Sequence, residues 1–108
     1  MKEVQKRTIA SRRLLYSPVG ESEKRNLTIR IVGPYLLVRG SVGFAFDEGA
    51  AGCDIEFDGL PLEVISVYGS DAIQALALAT DVDPYLRGLN RKYHFFFETG
   101  EPYFNALS

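Results

Sequence analysis

The chain has one cysteine, one histidine and no tryptophan. A lone cysteine, Cys53, excludes an intramolecular disulfide, so packing alone must hold the fold, and a reducing compartment is expected. A lone histidine, His94, excludes a multi-histidine metal cluster. No stretch approaches the roughly 20 apolar residues of a membrane-spanning helix. The basic N-terminus is not followed by the apolar run of a secretory signal. A soluble cytoplasmic protein without a membrane partner, cofactor or metal is the expectation.

The 108 residues suit one domain, whose N-terminal tip and C-terminal tail are expected to be the most mobile parts. At 46% hydrophobic and 24% charged, the composition is that of a chain that folds on its own core rather than of a disordered one. The net charge of −2 hides an asymmetry. Residues 1–30 hold eight Lys or Arg against three Glu, whereas residues 31–108 hold four basic side chains against eleven acidic ones. Such halves attract one another within the fold or across a homodimer. A basic arm on nucleic acid would need its cations clustered, and here they alternate with apolar residues. Tyr35, Phe44 and Phe46 lack the dense flanking positive charge of a base-stacking surface, which also argues against nucleic acid.

Period-2 alternation predicts strands. Thr8–Tyr16 has no clean apolar side, which suits an edge strand guarded by charge. Leu27, Ile29 and Ile31 face one way, and Gly33-Pro34 should end that strand. Apolar residues from Leu36 to Phe46 suit one long bent strand or two short ones. Cys53, Ile55 and Phe57 point inward, with Asp54, Glu56 and Asp58 outward. Leu62–Tyr68 and Tyr93–Phe97 complete the set. The aromatic run of the last strand calls for cover on both faces, and Tyr103, Phe104 and Leu107 should give the tail some order.

Between these strands lies a helix. Ser70 is the expected N-cap, with Asp71 in the first turn, where the helix dipole favours negative charge. Ala72, Leu76 and Ala79, widened by Ile73, form one apolar stripe. Leu78, Val82, Tyr85 and Leu89 form a second, and a straight surface helix should have only one. Pro84 offers two resolutions. Either the helix kinks, with a short second helix capped by Asp83 and carrying Pro84 at its first position, or it continues and the second stripe meets a partner subunit. The fold expected is α+β, a mostly antiparallel sheet of about five strands against one main helix.

Candidate chemistry is sparse. His94, set in an aromatic run, reads as strand packing, and inward Cys53 as a small hydrophobe. Asp54, Glu56 and Asp58 share a strand face about 7 Å apart, too dispersed to converge on a hard cation without help. A solvated acidic face is the plainer reading.

The run Val67-Tyr68-Gly69-Ser70-Asp71-Ala72-Ile73-Gln74-Ala75-Leu76, with Arg12-Arg13-Leu14 upstream, resembles a family of small bacterial domains of unknown function, the DUF6968 type. The resemblance spans about Ile9 to Phe97 and implies a bacterial cytoplasmic α+β domain with no assigned catalytic residues. Asp83-Pro84 and the aromatic last strand depart from it. The function expected is a non-enzymatic interaction module, as a homodimer or with another bacterial protein. It would use Asp54, Glu56 and Asp58, or the stripe Leu78, Val82, Tyr85 and Leu89. The rival is a small-molecule binder or enzyme with Arg12, Tyr68, Asp71, Gln74 and His94 around a pocket between helix and sheet.

Overall fold

Alternation sets the two faces of the sheet. In the computed structural model, which describes residues 6–104, strand β1 (Thr8–Pro18) buries Leu14 and Tyr16 on its inner face. Strand β2 (Arg25–Leu36) adds Leu27, Ile29 and Ile31, and β3 (Ala51–Asp58) adds Ala51, Cys53, Ile55 and Phe57. After β4 (Ile65–Gly69), the arms α1 (Ala72–Thr80) and α2 (Asp83–Gly88) of one bent helix pack on this face, and β5 (Tyr93–Phe96) contributes Phe95. The curled sheet has the order β4-β3-β2-β1-β5, with every neighbour antiparallel. Ala75 and Ala79 are fully buried, and their short side chains let α1 lie close to the strands. The fully buried Leu14, Leu27, Ile29, Ile55 and Leu86 each contribute about 1.5–3 kcal/mol through burial.

At the turn after β3, Gly59 has φ +119°, and a Cβ there would sit 2.3 Å from the Asn26 carbonyl oxygen. The buried Tyr16 hydroxyl donates to the Gly59 carbonyl, fastening this turn to β1. At the start of α1, Asp71 is the N-cap: its Oδ1 accepts from the Gln74 backbone N–H at 2.8 Å, and the Gln74 Oε1 accepts from the Ser70 N–H at 2.6 Å. Asp71→Ala is therefore expected to lower stability by about 1 kcal/mol, read as a drop in Tm, with Asp71→Ser retaining most of it.

Several sequence expectations need correction. Ser70 gives up the cap to Asp71, and Ile73 does not widen the inner stripe but is 80% exposed. β1 is not an edge along its whole length, because β5 pairs with Leu15–Pro18. β2 does not end at Gly33-Pro34. A register shift between Val32 and Tyr35 absorbs the missing proline donor, and pairing resumes at Tyr35–Gly52. Beyond Leu36 the residues up to Ala50 form turns and bends rather than strands: Ser41 Oγ bonds to the Val38 carbonyl and N–H and closes a tight turn. β4 begins at Ile65, not Leu62. Along Tyr93–Phe97 only Phe95 is buried, and His94 and Phe97 are exposed.

The helix takes the first of its two resolutions. α1 stops at Thr80 and α2 starts at Asp83, with Val82 rather than Asp83 as cap and Pro84 at the second position. The bend turns most of the second stripe inward. Val82 is buried, Tyr85 and Leu89 pack against the core, and only Leu78, 47% exposed, faces out. The C-terminal segment folds back beside β5, with a Phe96–Pro102 bridge and a bond from the Tyr103 N–H to the Phe95 carbonyl. Leu107 and the N-terminal tip lie outside the described residues. Among those residues, no helix is long and apolar enough to cross a membrane.

Candidate functional site

Two clusters of polar side chains form, one on each face of the sheet. On the outer face, register brings Val32, Asp54 and Ser66 into one row across β2, β3 and β4. Asp54 is only 6% exposed, which corrects the expectation of a solvated carboxylate. Its Oδ1 accepts from the Tyr35 hydroxyl at 2.6 Å and the Ser66 hydroxyl at 2.8 Å, and its Oδ2 meets Lys6 Nζ at 3.0 Å. Lys6 Nζ also lies 4.5 Å from the centroid of the Tyr35 ring. The ring can cross the sheet there because its neighbour is Gly52, where a Cβ would come 2.8 Å from the ring.

Burial pushes the Asp54 carboxyl up, but the hydrogen bonds from Tyr35, Ser66 and Lys6, together with the Lys6 charge, outweigh it and hold the group below its ordinary value. Tyr35 is driven the other way, by burial first and then by its bond to Asp54 and that carboxylate's charge. A carboxylate held ionised beside a phenol held protonated does not exchange protons near neutral pH. With bonds to Tyr35 of β2, Ser66 of β4 and Lys6, the carboxylate braces the outer face of the sheet. Burial likewise raises the Cys53 thiol, and Asp54 adds to the effect, which suppresses the nucleophilic thiolate.

The inner face holds the second cluster. Arg12 Nη1 donates to the Tyr103 hydroxyl at 2.6 Å, and that hydroxyl donates to Asp83 Oδ1 at 2.6 Å. Burial, then the bond to Asp83, raises Tyr103, so its proton stays in place and its oxygen faces the guanidinium as an acceptor. Beside this chain opens a crevice of about 100 Å³. Ile29 and Ile31 of β2 form its floor. Ala10, Ser11 and Arg12 of β1 form one wall, and Thr80 and Val82 at the helix bend form the other. The crevice exists because α1 packs on β4, β3 and β2, and its C-terminal end leaves the inner side of β1 open.

The five residues expected around one pocket are scattered. Arg12 lines this crevice. His94 lines a separate cleft of about 240 Å³ with Arg87, Asn90, Tyr93 and Phe104. Asp71 and Gln74 are engaged in capping α1. Tyr68 stands on the outer face, its ring 5.1 Å from that of Phe44. The acidic trio is equally divided: Asp54 is buried in its brace, Glu56 is half-buried, and exposed Asp58 pairs with Arg30 at 3.0 Å. The sequence reading passed over Tyr35, Lys6 and Ser66 as partners of Asp54, and Tyr103 and Asp83 as partners of Arg12. The one available signal was the bulky Tyr35 set against a glycine strand position, and it needs the register to be seen. No family model, no curated protein and no solved structure matches this chain.

Proposed function

We propose that this chain is a non-enzymatic interaction module that takes an extended, acidic segment of a partner protein as an added strand along β1. One observation carries the reading. β2 pairs along β1 from Thr8 to Tyr16, whereas β5 pairs only with Leu15–Pro18. Among the described residues, no strand pairs with the other edge from Thr8 to Leu14, and every side chain from Thr8 to Arg13 is exposed. Beyond Phe96 the chain leaves β1, and a turn closed by the Gly100 N–H and the Phe97 carbonyl carries it back along β5. An unpaired edge offers a row of donors and acceptors to an incoming strand, whose main-chain bonds supply affinity and whose side chains supply specificity.

Charge selects the occupant. Arg7, Arg12 and Arg13 lie along this edge, Arg12 toward the inner face and Arg13 toward the outer, so pairing with a second copy brings like charges together, while an acidic segment is attracted. The second helical stripe, folded inward, gives a homodimer no continuous apolar face. The resemblance to bacterial domains supports a bacterial cytoplasmic setting for the partner.

The test is a set of seven-residue unstructured peptides of equal length, acidic, neutral and basic, titrated into the full chain while amide exchange is followed. Acidic members should bind and slow exchange at Thr8–Arg13. Charge reversal by Arg12→Glu with Arg13→Glu should weaken them ten-fold or more, and added salt should weaken them too. Equal binding of basic peptides, or protection confined to the turns at 37–50, would overturn the proposal.

A further inference from the structure

Resting on the strand-addition reading, we infer that the crevice between β1 and the helix bend is the side-chain pocket for that added strand, and that it takes a branched aliphatic residue lying next to a carboxylate. A strand laid on the free edge of β1 sits about 4.8 Å from it, and alternate side chains point to the inner face. There they meet Ala10 and Arg12, which share that face with Ile29 and Ile31 through the Ala10–Ile31 and Arg12–Ile29 pairings. Ala10 is the shortest of these side chains, so a neighbour can reach over it onto the two isoleucines and Val82. A crevice of about 100 Å³ with an aliphatic floor suits a leucine, isoleucine or valine side chain.

Arg12 fixes the polar half of the recognition. A guanidinium has five N–H donors. Among the described residues only one bond from Arg12 is made, to Tyr103, and no carboxylate pairs with it directly. Tyr103 has committed its own proton to Asp83 and presents only oxygen to Arg12, a residue of the crevice wall, so the bond anchors the guanidinium without neutralising it. The remaining donors form the fork that a carboxylate accepts in a bidentate pair. Aliphatic floor and forked cation together define a motif of one aliphatic and one acidic residue, more specific than acidity alone.

The experiment uses the full chain and Glu-rich heptapeptides in which a single position is either Gly or Leu, moved along the peptide. One placement of leucine should tighten binding about ten-fold or more over glycine, the gain expected for an aliphatic side chain leaving water. That peptide should also shift the methyl resonances of Ile29, Ile31 and Val82. Ala10→Leu, at an exposed position, fills the crevice from outside and should erase the leucine advantage, so that leucine and glycine peptides bind the variant alike. If leucine and glycine peptides bind alike while Thr8–Arg13 gains protection, the pocket is refuted and strand addition stands. A second arm titrates 4-methylpentanoate, an aliphatic carboxylate with no peptide backbone. Methyl shifts at the crevice that vanish in Arg12→Gln, without any peptide binding, would uphold the pocket's chemistry and refute strand addition. Silence in both arms overturns both.

Discussion

Gly59→Ala is expected to remove about 3–5 kcal/mol of stability, a large part of what a domain of this size possesses. Two costs combine. The residue has φ +119°, a conformation that side chains with a Cβ rarely adopt, and the added methyl would lie 2.3 Å from the Asn26 carbonyl oxygen, a backbone atom that cannot swing aside. Relief requires the turn to move, and moving it breaks the bond from the Tyr16 hydroxyl to the Gly59 carbonyl. Gly49→Ala is the matched control: its φ is +92°, but nothing lies within 4 Å of the new Cβ. It should cost about 1 kcal/mol from backbone strain alone. Urea denaturation separates the two by their midpoints at equal m-value. A loss below about 1 kcal/mol for Gly59→Ala would show that the turn is not clamped between β1 and β2 as described.

Asp54→Ala carries the second-largest expected effect, about 2–3 kcal/mol, because it leaves the Tyr35 hydroxyl without its acceptor and Lys6 without its counter-ion. The Lys6 share is small, since that side chain is half exposed and water takes it back. Asp54→Asn keeps an acceptor for Tyr35 and Ser66 and should lose less. The pH dependence has a defined direction. The folded-state value of Asp54 lies below that of the unfolded chain. Its contribution is therefore complete above the ordinary carboxylate range and is lost as pH falls through the folded value, because the unfolded chain takes up the proton first. Wild-type stability should decline on acidification more steeply than that of Asp54→Asn. Parallel pH profiles for the two proteins would assign the acid sensitivity to other carboxylates.

The sequence exposed the inner face of the fold and concealed the outer one. Leu27, Ile29 and Ile31, and Cys53, Ile55 and Phe57, were legible because a half-buried strand repeats every two residues, whatever its neighbours. A disturbance of the helix near Pro84 was legible because proline acts locally, but a kink and a continuous helix both remained open until the bend between Thr80 and Asp83 was seen. The register shift that carries β2 past Gly33-Pro34 was not, since only the partner strand shows that pairing resumes at Tyr35. Asp54 looked like its solvated neighbours Glu56 and Asp58 for the same reason. Its burial comes from Tyr35, Ser66 and Lys6, residues 19, 12 and 48 positions away. The crevice is equally non-local: Arg12 meets Tyr103 across 91 positions, a distance that periodicity does not register.

The placement of β1 between β2 and β5 also orders the assembly of the chain. β1, β2, β3 and β4 pair in sequence as antiparallel neighbours, joined by six residues between β1 and β2, fourteen between β2 and β3 and six between β3 and β4. The last partner, β5, must return across about 80 residues to meet Leu15–Pro18, and that long closure is entropically the slowest contact to win. Until it forms, the whole far edge of β1 is open, and Tyr16 lacks its cross-strand partner Phe95. A growing chain would pass through this state on every synthesis, so Arg12 and Arg13, beside the last apolar residues of that edge, are placed to keep one unfinished copy from pairing with another.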